Sequence, residues 1–287
     1  ENVLRYAEDK FSPHRMAVIG TCVAMIIGED LRSAIDGAGI TTPTIAVDIH
    51  AGYIENIAGV LSTLEAAEQA GWITLAELER QRFMMGKATE VERLRGAACQ
   101  SYIEPSRGDL KHKAAERLLN LARSGKRGVA ILNAKKETAY MFADELVALH
   151  DVCPEADITY IANLEGRGLP KTRADAEIIL KELTAKGVKP ELLGALDEYG
   201  ANGDALGKRI VGIAPAFALI AGVPHAIPQD YTRGVECFSI TNGPRQVAPL
   251  HALGHEHVMV EIDLHPKTLG VRNIVESEFG AVLRSMA

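Results

Sequence analysis

Met16-Ala-Val-Ile-Gly20-Thr-Cys22-Val-Ala-Met-Ile-Ile-Gly28-Glu-Asp-Leu31 sets the pattern that decides the fold class. Met16 to Gly20 is short and almost wholly apolar, as a strand covered on both faces must be. A Cys-bearing turn follows, and then an amphipathic helix expected to open near Gly28. A thiol so placed sits at the carboxyl end of a strand and beside a helix N-terminus. Backbone N–H groups and the helix dipole there favour a thiolate. Cys22 also reads as a small buried hydrophobe, since free Cys is among the most buried residue types.

Working outward, the same alternation recurs. Strands are expected at 16–20, 44–49, 128–132, 157–162, 209–214, 235–240 and 257–262, each near-continuously apolar. Helices are expected at 26–37, 55–70, 74–94, 138–150, 172–186, 245–253 and 270–285, the third opening on the capping-box pair Thr74 and Glu77. Strands alternating with helices make an α/β fold of Rossmann-like parallel sheets flanked by helices. Gly96, Pro105 and Gly108 form a connector, Asp109 to Arg123 a charged amphipathic helix, and Gly128 starts a new βα series. We therefore expect a first domain over 1–125, connector included, and a second over 126–287 on the substrate or cofactor side. The opening Glu1 and the helix over residues 1–10 resemble the middle of an α/β domain, so further residues are expected upstream.

Composition narrows the function. Of 287 residues 47% are hydrophobic and 24% charged, with a formal net charge of −7, which argues against nucleic acid or an anionic membrane as partner. No apolar run approaches the roughly 18 residues of a membrane span, and residues 1–15 are too polar for a signal peptide. Cys22, Cys99, Cys153 and Cys237 form no CxxC pair, which suits a reducing, cytoplasmic setting better than a disulfide framework or a zinc finger.

In open α/β sheets ligands bind at the carboxyl ends of strands, so the residues after each strand are the candidates. They include His50-Ala-Gly-Tyr53, Asn133-Ala-Lys-Lys136, Thr241-Asn-Gly-Pro-Arg245 and Asp263-Leu-His265-Pro-Lys267. Asn242 or Gly243 is read as a helix cap with Pro244 in the first turn; with Arg245 it would seat a carboxylate or phosphate, or simply cap the helix. Lys135-Lys136 reads more readily as a solvated pair. His251, His255 and His257 are poorly placed for a metal. P-loop, GxSxG and HExxH motifs are absent.

Thr21-Cys22 followed by Ile27-Gly-Glu-Asp-Leu31 resembles the motif after a sheet strand in nitrogenase component-1-like proteins. Asn133-Ala-Lys-Lys-Glu-Thr138, Gly222-Val-Pro-His225, Phe238-Ser-Ile-Thr-Asn-Gly-Pro-Arg-Gln246 and Val260-Glu-Ile-Asp-Leu-His-Pro-Lys-Thr-Leu-Gly270 look like one branch of them. That branch is the catalytic component of Ni-sirohydrochlorin a,c-diamide reductive cyclase, and the resemblance covers nearly the whole chain.

The resemblance implies a homodimer holding a 4Fe-4S cluster near the subunit interface and reduced by an ATP-dependent iron protein. The substrate would be a nickel tetrapyrrole, reduced and cyclised to a γ-lactam on the way to coenzyme F-430. Cys22 matches a cluster ligand; Cys99, Cys153 and Cys237 do not match the others and read as structural, so the partner subunit or upstream residues would supply the remaining ligands. A flat ring edged with carboxylates needs an aliphatic slot rimmed by cations and helix N-termini, for which Asn242, Gly243, Arg245, Lys267 and Arg272 are the candidates. His50, His225 and His265 are the candidates for proton donation, and His225 and His265 also for the rim. Another nitrogenase-like tetrapyrrole reductase, or a non-catalytic scaffold holding a tetrapyrrole or cluster, are the alternative readings.

Overall fold

Val129 and Ile131 pack into one apolar cluster, Ala130 and Leu132 into another, and all four are fully buried. Such burial on both faces is what a central parallel strand requires. They lie in a computed structural model that describes residues 1–49, 56–99, 101–261, 268 and 270–287. The chain divides into two units, Glu1–Met85 and Gly86–Ala287, with the boundary inside one helix.

The first unit runs α1 (Asn2–Phe11), β1 (Met16–Gly20), α2 (Cys22–Ile26), α3 (Leu31–Ala38), β2 (Thr44–Asp48), α4 (Asn56–Gln69) and the start of α5 (Leu75–Arg95). β1 and β2 pair in parallel, Met16 against Thr44 through Gly20 against Asp48. The helix expected over 26–37 is two. α2 gives way at Gly28, whose φ of 74° no helix tolerates, and α3 restarts at Leu31. Asp30 caps α3, accepting from the backbone N–H groups of Arg32 and Ser33 at 3.0 Å each.

The second unit continues with α6 (Lys111–Arg123), β3 (Gly128–Asn133), α7 (Ala139–Val152), β4 (Ile158–Ala162), α8 (Pro170–Ala185) and β5 (Glu191–Leu192). Then come α9 (Gly203–Ile213), β6 (Phe217–Gly222), β7 (Glu236–Thr241), α10 (Val247–Ala252), β8 (His257–Val260) and α11 (Glu278–Ser285). Its six strands are all parallel in the order β5-β4-β3-β6-β7-β8. Numbered along this unit, that is 3-2-1-4-5-6, the Rossmann order, with its reversal between β3 and β6. One face is covered by α6, α7, α8 and α11 around Phe142, Phe238 and Phe279, the other by α9 around Leu206 and Ile210. Leu118, Leu119 and Leu121 of α6 are buried in the first of these clusters, so this helix, grouped with residues 1–125 by sequence, packs with the second unit.

The run 209–214 differs from expectation: it is the end of α9, not a strand. Leu206, Ile210 and Ile213 are buried at helical spacing while Val211 is exposed, and Gly203 and Gly207 let the helix pack closely on Ala226 and Tyr231. A short apolar run fits either element, and periodicity over its neighbours decides. Pro215 then prevents the helix from continuing, and Phe217–Gly222, to which the sequence reading gave no element, is the central strand β6. The last helix is also shorter than expected, α11 beginning only at Glu278 behind the cap Ser277. Among the described residues no helix is long and apolar enough to cross a membrane.

Candidate functional site

The loops after β3 and β6 flank the point where strand order reverses, the crevice in which Rossmann-like sheets bind ligands. Local chemistry brings these loops together. A Cβ on Gly222, at φ 114°, would strike the carbonyl oxygen of Asn133, so only glycine lets β6 end this close to β3. Val223 N–H then donates to that carbonyl at 2.8 Å. Asn163, just beyond β4, pins the loop from the other side: its Oδ1 accepts from Ala134 N–H at 3.1 Å and its Nδ2 donates to Ala134 O at 2.9 Å. Asp197 accepts from Lys136 N–H at 2.8 Å. Burial raises the Asp197 carboxyl above the usual range despite that bond.

Four side chains meet at this point. Lys135 Nζ lies 3.3 Å from Glu92 Oε1 and 5.0 Å from the centre of the Tyr199 ring, while His225 Nε2 lies 3.5 Å from the same carboxylate oxygen. Burial alone would raise the Glu92 carboxyl, but His225 and Lys135 outweigh it and hold the pKa down at about 2. Lys135 is shifted upward in spite of its burial by the nearby Tyr199 and Glu92. His225 is completely buried and neither of its ring nitrogens has a hydrogen-bond partner; the buried Oδ1 of Asn133 has none either.

A cleft of about 500 Å³ opens on the other side of the β3 loop. Lys136, Tyr140, Lys171, Asp175 and Arg272 line it. Tyr140 donates to Asp175 at 3.0 Å and Lys136 pairs with Glu137 at 2.9 Å, whereas Lys171 and Arg272 form no ion pair among the described residues. With Glu137 and Asp175 also in the lining, Lys136, Lys171 and Arg272 leave the cleft an excess of positive charge, which suits an anionic ligand.

The expected site residues fare differently. Cys22 is the first residue of α2, a partly exposed free thiol in the first unit. Cys153 and Cys237 are buried, and burial pushes the Cys237 thiol up to about 12. His225 reaches the switch point but has no exposed surface, so it meets a ligand only through its neighbours. Arg272 lines the cationic cleft. His50, His265 and Lys267 lie outside the described residues.

The reading of Asn242 or Gly243 as a helix cap is corrected: α10 opens at Val247, behind Gln246. Thr241 Oγ1 accepts from Gly243 N–H at 3.1 Å and donates to Gln246 Oε1, closing a turn in place of a helix start. Arg245 stands 5.9 Å over the Tyr102 ring. His251, His255 and His257 turn to separate partners, the backbone of His255, Ser239 and Glu236, and no group of three or more His, Cys, Asp or Glu among the described residues could hold a metal ion.

One buried group stands apart. Glu145 on α7 has no exposed surface and no hydrogen-bond partner for either oxygen. Burial, with Glu261 and Asp144 nearby, raises its pKa well above the usual range and keeps it neutral. Glu261 is engaged elsewhere, accepting from the N–H groups of Glu278 and Phe279 at the start of α11.

The fold defines a Rossmann-like α/β protein, with a polar cluster at its topological switch point as the candidate ligand site. Three curated relatives carry the comparison further. The chain is 48% identical over 293 aligned residues to the Ni-sirohydrochlorin a,c-diamide reductive cyclase complex component CfbD of Methanosarcina acetivorans, covering 99% of this chain and 79% of that protein. It is 45% identical to the component of that name from Methanothermobacter thermautotrophicus, covering 98% and 79%, and 37% identical to that from Methanocaldococcus jannaschii, covering 93% and 74%. The chain belongs to this CfbD component family. No family model matches it.

Proposed function

We propose that the chain is the catalytic component that reduces and cyclises Ni-sirohydrochlorin a,c-diamide in coenzyme F-430 biosynthesis. The observation that carries this reading is the match over nearly the full chain to three proteins of that component's name. A ring edged with carboxylates would place part of its rim against Lys171 and Arg272 in the cleft, with Arg245, Asn242 and Gly243 at the neighbouring strand ends, and Lys267 completing the set. His50, His225 and His265 are the proposed sources of protons.

Electrons would come from an ATP-dependent iron protein of the nitrogenase kind through a 4Fe-4S cluster, which supplies one-electron transfer when bound. Such a cluster takes four thiolates, and Cys22 is the single cysteine of its unit. It is free and partly exposed, which fits one ligand of a cluster shared between subunits. Ile19, Val23, Ile26 and Ile27, the apolar residues around Cys22 in sequence, are 51–83% exposed. Exposed apolar surface of this kind suits a subunit contact and supports the reading of a homodimer with the cluster near its interface.

The test is anaerobic reconstitution with iron and sulfide, followed by turnover of nickel sirohydrochlorin diamide with the iron protein and ATP. We expect a visible-absorbing iron protein whose colour and iron are lost in Cys22→Ser. Unchanged iron content in that variant sinks the ligand assignment, and substrate retained without turnover favours a scaffold.

A further inference from the structure

Glu92, Lys135 and His225 come from α5, the loop after β3 and the turn after β6, and they converge on one atom. Lys135 Nζ and His225 Nε2 approach Glu92 Oε1 at 3.3 and 3.5 Å. Their side chains are graded in exposure, 36% for Lys135, 19% for Glu92 and none for His225. The contact therefore joins a partly exposed carboxylate to a fully buried imidazole, at the strand ends where this sheet order places ligands. A histidine serving only to fill the core normally has its ring nitrogens satisfied. Here neither ring nitrogen has a hydrogen-bond partner, Nε2 standing 3.5 Å from the Glu92 carboxylate, a geometry that tightens in working acid–base sites once a ligand is bound.

We propose that Glu92, Lys135 and His225 form one proton-transfer unit for a ligand seated in the switch-point crevice, with Glu92 as the catalytic residue and the other two positioning and supplying it. This deepens the reductive cyclase reading and rests on it, because reducing a ring system consumes protons. In the step, the Nε2–H bond of the His225 imidazolium breaks and the proton passes to Glu92 Oε1. In the same event Oε1 passes the proton on to a basic atom of the ligand, so no protonated Glu92, disfavoured by its pKa of about 2, accumulates, and the imidazole is left neutral until solvent reloads it by the same route. Only a proton moves. Lys135 holds the carboxylate in place and lends its charge to an anionic ligand. The other groups near His225 are Tyr199, whose ring lies under Lys135, and His255, from the turn before β8. His255 is held neutral at about pKa 4 by its burial, with His225 and His251 adding to the effect, so it brings no competing cation.

Two measurements decide the matter. In full-length protein labelled with nitrogen-15 histidine, His225 should carry protons on both ring nitrogens, and Glu92→Gln should convert it to a neutral ring, the resonance being assigned by its loss in His225→Gln. A His225 signal that ignores Glu92→Gln overturns the unit, whatever reaction the protein catalyses. In the complete two-component system with nickel sirohydrochlorin diamide, Glu92→Gln and His225→Gln should each lower kcat by about tenfold or more, with KM changed less than about twofold. The double variant should be no slower than the slower single one, and Glu92→Asp should recover part of the rate. Additive losses, or effects confined to KM, overturn the proposal. If the wild type itself fails to turn over that substrate, the reductive cyclase reading falls, while the nitrogen-15 measurement still decides whether Glu92 and His225 act together.

Discussion

The two units of this chain solve the burial problem differently. In the second, β3 and β6 are buried along their whole length and helices cover both faces of a six-stranded sheet. In the first, two strands pair in parallel, yet β1 alternates between half-buried and exposed, with Ile19 51% exposed. Val3, Phe11, Val23, Ile26 and Ile27 of the same unit are more exposed still. Fully buried side chains stabilise a fold, whereas apolar side chains left at the surface are available to a partner. The second unit thus holds most of the buried core and the candidate ligand site; the first holds a partly exposed thiol among exposed apolar groups.

The sharpest break in this comparison is chemical. With a mild alkylating reagent at neutral pH, Cys22 should react at least about a hundredfold faster than Cys237, whose thiol is buried and raised to about 12. Peptide mapping by mass spectrometry checks this, and equal labelling would mean the second unit opens readily. Next in size, Phe238→Ala should destabilise the protein by about 3–5 kcal/mol in urea unfolding, because Phe238 is fully buried in the larger core cluster.

Glu145→Gln should have a smaller effect, with a sign set by pH. The folded carboxyl titrates well above the unfolded one, so folding takes up a proton once pH exceeds about 4.3, and wild-type stability falls as pH rises from there toward the folded value. Glutamine is neutral throughout. We expect the variant to gain stability over the wild type as pH rises from 4 to 8, and to match it near pH 4, as thermal unfolding across pH would show. The smallest change should come from the first unit. Ile26→Ser removes a side chain that is 83% exposed and should alter stability by less than about 0.5 kcal/mol. It should nevertheless weaken self-association in sedimentation, which would separate the partner-facing role of this surface from a folding role.

Much of the fold can be read along the chain. β1 was expected at 16–20 and runs Met16–Gly20; α5 was expected at 74–94 and runs Leu75–Arg95. A clean apolar run bounded by turn residues made β1 legible, and the capping pair Thr74 and Glu77 ahead of a run of helix formers made α5 legible. The central strand escaped because Arg209-Ile-Val-Gly-Ile-Ala214 and Phe217-Ala-Leu-Ile-Ala-Gly222 are similar apolar runs three residues apart, and the wrong one reads as strand. The candidate site was only half visible. His225 was named from the sequence, but Glu92 sits in a helix that looks merely charged, and Lys135 beside Lys136 looks solvated. Lys171 of the cleft gave no local signal at all.

The sequence alone determined the α/β class, the place of Cys22 at the end of β1 and the family resemblance, because each depends on residues near one another along the chain. The tertiary structure decided the strand order, and with it the reversal between β3 and β6. It also decided that Glu92, Lys135 and His225 meet there, with the imidazole fully buried. Parallel strands are joined by crossovers through helices, so which strands become neighbours is settled by burial of both sheet faces over long separations, which no local pattern encodes.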